Sequence, residues 1–364
     1  MKKIAICVTN DLVADQRVNK VATTLLNNNF NVTLIGRKLK NSLPINRDYK
    51  TKRFKLLFNK TFLFYANYNI KLFFYLLFSD YDIIIANDLD TLPACYYISK
   101  IRKKQIVYDS HELFTEVPEL NNRKFVKNFW TKIEKHILPK LKNTYTVCQS
   151  IADIYNKKYN TNFKVVRNIP ICDNTKTLKI NNKNNTKIIL YQGAVNIGRG
   201  LEEIITAMPY IDAKLIIVGH GDILQNLKKL TNNLKLDNKV EFKGKIPFDK
   251  LKQITQTADL GISLEQNISL NYYYALPNKI FDYIHSNVPV LASDLPEIKK
   301  IITKYQVGEL INNFSKESIS KQINNMLNNN EKLNFYKKNT IKATKELCWQ
   351  TEEKIIINIF KNIK

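Results

Sequence analysis

The chain has 364 residues with a formal net charge of +25 at pH 7, and 44% of its residues are hydrophobic. This length exceeds one ordinary hydrophobic core and predicts two domains, while a composition with only nine glycines and ten prolines excludes a disordered or collagen-like chain. The five cysteines are widely spaced and form no CxxC pair, which argues against a disulfide framework or a zinc site.

The first apolar segment, residues 4–8, follows two lysines and superficially resembles a signal peptide. It ends at Asn10 and Asp11 without a cleavage site of small residues, so we expect it to be a β-strand. The longest apolar run, residues 70–78, contains Lys71 and is too short to span a bilayer. Together with the free thiols expected of a reducing compartment, these features predict a soluble, cytoplasmic protein.

Short apolar runs alternate with helical periodicity, which is typical of βαβ units and a parallel sheet. In the first half we expect strands at residues 4–8, 32–35, 83–86, 105–109, 144–147 and 165–166, and helices at 18–26, 70–78 and 125–138. In the second half we expect strands at residues 188–192, 213–218, 240–242, 260–264, 288–292 and 308–310, and helices at 201–207, 223–230, 248–255 and 279–284. This pattern predicts an α/β protein with two Rossmann-like, doubly wound parallel sheets facing across a cleft.

A polar stretch between the two halves contains almost nothing that could build a core. We therefore place a linker at residues 169–186, between a first domain at 1–168 and a second at 187–345. The last segment, residues 346–364, has the apolar spacing of an amphipathic helix. Because it follows a complete second domain, we expect it to pack back onto the first.

The positive charge is concentrated in the first half of the chain. Residues 1–167 carry 29 basic and 13 acidic side chains, a net +16, and the remainder carries 28 and 19, a net +9. Such an excess predicts an anionic partner, whether nucleic acid, membrane or substrate. The abundance of Lys and Asn that AT-rich coding produces is a simpler explanation of the same charge.

The most informative motif of the sequence is Leu-Pro-Asn-Lys-Ile-Phe-Asp-Tyr at residues 276–283. Pro277 opens a helix in which Lys279 and Asp282 lie three residues apart on one face, and Asn278 lies beside them. A lysine near a helix N-terminus suits a phosphate, and a carboxylate one turn later suits a ribose diol. The motif therefore indicates nucleotide binding, with a capped surface helix as the alternative.

Two glycine-containing turns follow strands of the second half. A strand ends at Gly193, the loop after it carries Gly198, Arg199 and Gly200, and Gly219 and Gly221 follow the next strand. Glycines let backbone N–H groups approach an anion, and an arginine offers a charge-assisted fork to a diphosphate. A purely structural strand-to-helix turn is the alternative, and the spacing is not that of a P-loop.

Polar residues also follow three strands of the first half, where sites in parallel sheets collect. They are Asn10, Asp11 and Arg17 after the first strand, Asp88 and Asp90 after the third, and His111 and Glu112 after the fourth. His111 is suited to donate to a sugar hydroxyl with Glu112 orienting it, whereas a turn closed by Asp109 and Ser110 is the alternative. One acidic pair is weak evidence for a metal, and the sequence has no HExxH motif and no His/Cys cluster.

These motifs resemble those of the family-4 glycosyltransferases, retaining enzymes of GT-B fold, over nearly the whole chain. The turn at Gly219 and Gly221 matches the family's Val-Gly-x-Gly, residues 258–263 match its alanine-aspartate strand, and residues 277–283 match a Pro-Asn-Lys-x-Phe-Asp-Tyr variant of its donor motif. Trp349 and the following helix match the segment that crosses back to the first domain.

The chain also departs from the family pattern. Ala194 replaces the arginine after Gly193, and Arg199 stands where the family has a lysine. Of the paired glutamates seven residues apart, the second becomes Asp282 and the first falls on Tyr274, with Glu265 or Asn271 able to reach the same space.

The resemblance implies transfer of a sugar from a nucleotide diphosphate sugar with retention of configuration and without a cofactor or metal. Arg199 and Lys279 would neutralise the departing diphosphate, Asp282 would hold the ribose, and His111 would position the sugar. The glycines, Asn278 and Glu265 would complete the donor site. The strand-end residues of the first half are the candidates for the acceptor side.

Residues 52–65 and 70–78 interleave cations with aromatic side chains, a pattern that suits an interfacial helix on an anionic bilayer. A helix buried under the sheet is the alternative for 70–78. With the charge of the first domain, the pattern predicts a glycan or polyprenyl-diphosphate-linked acceptor, as in bacterial surface polysaccharide or lipopolysaccharide synthesis, and peripheral attachment to the inner membrane's cytoplasmic face.

Two other function classes remain open from the sequence. A nucleotide-sugar epimerase of GT-B fold would act on the same donor without an acceptor. A basic nucleic-acid-binding protein fits the charge, but the cations are spread over helices and termini rather than grouped with aromatics on one face, so no nucleic acid partner is expected.

Overall fold

The computed structural model describes residues 1–13, 15–172 and 186–363, except for the side chains of residues 248 and 249. Two compact units divide the chain. The first comprises Met1–Asn168 with Gln350–Lys364, and the second comprises Ile169–Trp349. Most of the predicted linker, residues 173–185, lies outside the described residues.

The first unit is built on a parallel sheet. Its strands are β1 Lys3–Cys7, β2 Asn31–Lys38, β3 Lys50–Lys55, β4 Ile83–Asn87, β5 Gln105–Ser110, β6 Asn143–Thr146 and β7 Lys164–Val165. They pair in the order β3-β2-β1-β4-β5-β6-β7. β4 is buried along its whole length, which explains why it reads as a continuous apolar run rather than an alternating one.

Helices connect these strands. They are α1 Gln16–Asn27, α2 Thr61–Leu77, α3 Asp88–Ile101, α4 Lys124–Ile137 and α5 Gln149–Tyr159. The side chain of Asp15 caps α1 by accepting from the N–H of Val18 at 3.0 Å. None of the helices in the described part of the chain is long and apolar enough to cross a membrane.

The second unit repeats the same design. Its strands are β8 Ile188–Gln192, β9 Lys214–Val218, β10 Val240–Gly244, β11 Leu260–Ser263, β12 Val290–Ser293 and β13 Gly308–Ile311. All pair in parallel, in the order β10-β9-β8-β11-β12-β13. The strand order reverses between β8 and β11, as it does between β1 and β4 in the first unit, and ligands of such sheets bind outside the carboxyl ends of the strands at that reversal.

The helices of the second unit cover both faces of its sheet. They are α6 Leu201–Ala207, α7 Leu224–Asn233, α8 Phe248–Gln256, α9 Leu270–Tyr273, α10 Asn278–His285, α11 Pro296–Tyr305, α12 Lys316–Asn328 and α13 Asn330–Ala343. A last helix, α14 Trp349–Lys361, runs from the end of this unit into the first. There Glu353 accepts from the Thr24 hydroxyl at 3.0 Å, and Phe360 meets Phe30 edge-on.

The predicted fold class of two Rossmann-like parallel sheets is confirmed, but the structure differs from the local predictions at several elements. Residues 52–55 belong to β3 and not to an interfacial helix, because Phe54 packs against Tyr68 and Tyr75 while Lys52 and Lys55 are exposed. Strand β3 and helices α3, α5, α9, α11, α12 and α13 were not predicted. Asp88 and Asp90, which follow β4, lie in the first turn of α3.

Candidate active site

The candidate site of the second unit lies at the strand-order reversal. Gly193 follows β8 with φ +134°, and a Cβ built there would stand 3.4 Å from Cε of Lys279. Gly219 follows β9 with φ +152°, and its Cβ would stand 1.8 Å from the carbonyl oxygen of Gly193. Gly219 has no room for a side chain, and the φ of Gly193 strains any other residue, so the two strand ends come together as backbone beside a lysine.

The glycines of the adjoining loops are also required by close approach. A Cβ on Gly198 would stand 2.4 Å from Cδ1 of Ile268, and one on Gly221 would stand 2.2 Å from the carbonyl oxygen of Val195. Gly200, which precedes α6 in the left-handed conformation, packs equally close to Leu264. These glycines let the two loops fold tightly over the strand ends.

Lys279 lies in the first turn of α10, after the N-cap Pro277. Its side chain is only 8% exposed, and the ammonium lies 4.1 Å from the ring centroid of Tyr191. A buried ammonium needs a partner of opposite charge, and the carboxylate of Glu265 provides it at 2.8 Å.

Arg199 approaches the same carboxylate from the loop before α6. Its Nη1 lies 3.5 Å from Oε1 of Glu265, and its guanidinium lies 4.2 Å from the ring centroid of Tyr272. Nε of Arg199 is buried and has no hydrogen-bond partner among the residues that the structure describes. The two cations named in the sequence analysis therefore converge on one point of the second unit.

Glu265 itself is fully buried just after β11. Oε1 accepts from Lys279, and Oε2 accepts from the Ser263 hydroxyl at 2.6 Å. Burial alone would raise the pKa of this carboxyl, but Lys279 and Arg199 outweigh it and hold the pKa below the ordinary value. The carboxylate is ionised and shared by two cations, so it faces them rather than solvent.

Asp282 and Asn278 lie on the same helix as Lys279. The carboxylate of Asp282 accepts from Nε2 of Gln192 at 2.9 Å, and Oε1 of that glutamine accepts from the Thr255 hydroxyl at 2.7 Å. Asn278 is exposed at the first position of α10. Asp282 is thereby fixed in place at the end of β8, and Asn278 is accessible.

In the first unit, the imidazole of His111 lies between two carboxylates. Nδ1 is 3.2 Å from Oδ2 of Asp88, and Nε2 is 3.1 Å from Oδ2 of Asp109. The backbone N–H of His111 donates to Oδ1 of Asp88 at 2.7 Å. Burial opposes the charged imidazole, but the two carboxylates prevail and raise the pKa of His111 to about 9, so the ring is an imidazolium at neutral pH.

Arg17 forms an ion pair with one of these carboxylates, that of Asp109. Its Nε and Nη2 donate to Asp109 at 3.1 and 2.7 Å, and its Nη1 donates to the carbonyl oxygen of Val166 at 2.8 Å. Burial works against the charged form of Asp109, but Arg17 and His111 lower its pKa to about 2. Since Arg17 is 3% exposed, the structure places it in a buried ion pair and not on a surface that could meet an acceptor.

The remaining acceptor-side candidates lie around this cluster. Asn10 donates to Asp15 at 2.6 Å, and Asp11 accepts from the N–H of Val13 at 3.2 Å, so both stabilise the turn before α1. The carbonyl oxygen of Glu112 accepts from the Ser110 hydroxyl at 2.8 Å. Asp90 accepts from Thr9 at 2.6 Å, and burial raises its pKa to about 6.

The sequence did not reveal the groups that orient the candidate residues. Asp109 was predicted only as part of a turn, and no orienting role was predicted for Tyr191, Tyr272 or Ser263. Asp109, Tyr191 and Ser263 lie at or near the end of a strand, which is a signal that could have found them, whereas Tyr272 lies on the short helix α9 and carries no such signal. Within residues 1–13, 15–172 and 186–363, no group of three or more His, Cys, Asp and Glu side chains is arranged to hold a metal ion.

Two family models match the chain, one over each unit. The model described as Glycosyltransferase Family 4 matches residues 15–170, and the model described as Glycosyl transferases group 1 matches residues 173–343. An uncharacterized glycosyltransferase of Methanocaldococcus jannaschii is 24% identical over 325 residues, which are 81% of this chain and 80% of that protein.

Solved structures share the fold across the full length of the chain. Sucrose-phosphate synthase from Thermosynechococcus elongatus superposes with a TM-score of 0.80 at 16% identity, covering 100% of this chain and 99% of its own. The Anabaena protein HepE in complex with UDP-glucose superposes with a TM-score of 0.77 at 14% identity, covering 100% of both chains. At these identities the likeness is one of fold.

Proposed function

We propose that this chain, a glycosyltransferase of GT-B type, transfers a sugar from a nucleotide diphosphate sugar with retention of configuration and without a metal ion. The observation that carries the proposal is the convergence of Arg199 and Lys279 on one point beside bare glycine backbone. Two cations held together are suited to a diphosphate leaving group, since they neutralise the charge that develops as the glycosidic bond breaks.

The rest of the donor site follows from the same strand ends. The fixed carboxylate of Asp282 would accept from the ribose hydroxyls, with exposed Asn278 beside it. Binding of UDP-glucose by HepE, which shares the fold, supports a nucleotide-sugar donor. In the first unit, we assign contact with the transferred sugar to His111, with Asp88 and Asp109 orienting the ring.

The acceptor that we propose is a glycan or a lipid-linked saccharide of surface polysaccharide or lipopolysaccharide synthesis. One face of α2 is apolar yet exposed, with Ile70 at 57%, Phe74 at 54% and Phe78, at its C-cap, at 84%. Lys71 lies on the same helix, and the ammonium of Lys52 on β3 lies 5.8 Å from the ring centroid of Tyr75. An exposed apolar face with lysines nearby suits the surface of an anionic membrane, where a lipid-linked acceptor would lie.

Turnover of nucleotide sugars by substituted proteins tests the leaving-group assignment. A thermal-shift panel of nucleoside diphosphates and their sugars first identifies the base, because a bound ligand stabilises the folded state. With that donor, Lys279→Ala and Arg199→Ala should each lower kcat/KM at least about a hundredfold, as loss of a charge-stabilising donor does elsewhere.

Lys304→Ala and Arg123→Ala serve as controls for loss of charge, since both side chains lie on the surface. These controls should keep near-normal kcat/KM. If Lys279→Ala and Arg199→Ala also retained it, the assignment of the diphosphate to this site would be wrong. Turnover of the donor without any acceptor, releasing no nucleoside diphosphate, would instead favour an epimerase.

A further inference from the structure

The two cations of the proposed donor site are not free in the second unit. Both contact Oε1 of Glu265, Lys279 at 2.8 Å and Arg199 at 3.5 Å. The carboxylate has no exposed surface, and its other oxygen accepts from Ser263. The trio carries a net +1 and not the +2 that the two cations would present alone.

We infer that Glu265 is a positioning residue that sets both the spacing of the two cations and how tightly they hold a diphosphate. The inference rests on the proposed function of this site. A group with no exposed surface does not bind the sugar directly, so its influence on a ligand passes through Lys279 and Arg199. The same carboxylate that holds the cations also competes with the diphosphate for them.

Tyrosine rings restrict where the cations can move. The ammonium of Lys279 lies against Tyr191, and the guanidinium of Arg199 lies against Tyr272. With a ring on one side and Glu265 on another, each cation keeps one orientation before a ligand arrives, which lowers the entropy cost of binding. Nε of Arg199 is buried and has no hydrogen-bond partner among the described residues, so an acceptor on a bound ligand would satisfy it.

Charge balance then predicts an unusual result for an acidic residue in a binding site. Replacing Glu265 by glutamine keeps the shape and an acceptor oxygen but raises the net charge of the trio to +2. The Kd for the nucleoside diphosphate should fall about tenfold, the effect of one partly screened charge. This Kd should also depend more steeply on salt concentration than that of wild type, while the affinity for the unphosphorylated nucleoside should stay unchanged.

Calorimetric titration of full-length wild type and Glu265→Gln with the nucleoside diphosphate and the nucleoside is the experiment. Glu203→Gln is the matched control, because Glu203 contacts Gln266 in the same unit and neither cation. The control should bind as wild type does. Equal or weaker binding of the diphosphate by Glu265→Gln would overturn the inference, and wild type that binds no nucleoside diphosphate would instead overturn the proposed function.

A second pair of proteins keeps the test valid if Glu265→Gln fails to fold. Lys279→Met and the double variant Lys279→Met with Glu265→Gln differ only in the charge at residue 265. In the double variant both residues of the buried ion pair are neutral. The double variant should bind the diphosphate about tenfold more tightly than Lys279→Met, by the same charge argument. Equal affinities in this pair would likewise contradict the inference.

Discussion

At the scale of single residues, the charge of His111 is set by its two carboxylate neighbours. Asp109 is buried and paired with Arg17, whereas Asp88 is 23% exposed and holds both the ring and the backbone N–H of His111. Because the folded pKa of about 9 lies above the ordinary 6.5, this group stabilises the fold fully below pH 6.5 and loses that contribution as the pH rises through 9.

Asp88→Asn tests this electrostatic arrangement. The amide still accepts from the backbone N–H but removes one negative charge, so the pKa of His111 should fall toward its ordinary value by about one unit. NMR titration of the imidazole proton measures the shift directly. The loss of unfolding free energy between pH 6.5 and 9 should also become smaller, and an unchanged His111 titration would contradict the assignment.

The matched control for Asp88→Asn is Asp80→Asn. Asp80 is 71% exposed, and its partners are lysines of the same unit and not His111. The pKa of His111 should be the same in this control as in wild type.

Gly219 carries a second prediction at this scale. Ala at this position would bring a Cβ within 1.8 Å of the carbonyl of Gly193 in addition to an unfavourable φ. Gly219→Ala should therefore destabilise the protein by about 3 kcal/mol or more and abolish diphosphate binding, since strain and a backbone clash act together. Urea unfolding and the thermal-shift panel measure the two effects.

Gly244→Ala separates the clash from the backbone strain. Gly244 also has a left-handed φ, at +67°, but no atom of the described residues lies within 4 Å of its Cβ position. This variant should lose only about 1 kcal/mol, the cost of a left-handed residue, and should keep its ligand. Equal losses in the two variants would show that the approach of the two strand ends is not what requires Gly219.

At the scale of elements, the apolar pattern predicted the strands that are buried on both faces and failed at the charged edge strand β3 and at the largely buried helix α3. Strands such as β8 and β11 are continuous apolar runs, so each could be predicted without knowing which strands it pairs with. β3 has four charged residues out of six and is an edge strand, and only its pairing with β2 makes it recognisable. The start of α2 carries exposed aromatics where a polar face is expected, and these aromatics gave residues 52–65 the pattern of an interfacial helix.

Helix α2 combines a buried and an exposed apolar face. Phe64, Tyr68, Leu72 and Leu76, four residues apart, face the core, so the alternative of a buried helix describes one side of α2 only. Ile70, Phe74 and Phe78, also four apart, are more than half exposed. A helix that is apolar on its solvent side is suited to a surface that covers it.

The proposed membrane contact predicts the behaviour of a triple variant. Ile70→Ser with Phe74→Ser and Phe78→Ser should abolish flotation with anionic liposomes at low salt, because each apolar side chain contributes about 1.5–3 kcal/mol when buried. Phe335→Ser, 48% exposed on the second unit, is the control and should float as wild type does. Failure of the wild-type protein to float at low salt would count against membrane attachment.

At the scale of the whole molecule, the last helix, α14, belongs to the first unit although it follows the second unit in sequence. The carboxylate of Glu352 on α14 accepts from the backbone N–H of Arg167 at 2.7 Å and from its Nε at 2.9 Å, and Glu352 is only 2% exposed. The amphipathic spacing predicted the helix, but no local pattern reveals that Arg167 is its partner, because that contact spans 185 residues of sequence.

A substitution in α14 should therefore destabilise the first unit, although the helix follows the second in sequence. Ile356 is fully buried, and Ile356→Asp places a charge in an apolar contact, so about 3–5 kcal/mol of unfolding free energy should be lost. Limited proteolysis should then cleave residues 1–168 before residues 186–349. Lys354→Asp introduces the same charge at an exposed position of the same helix and should leave both units resistant. If Ile356→Asp sensitised the second unit first, α14 would not act as part of the first unit's core.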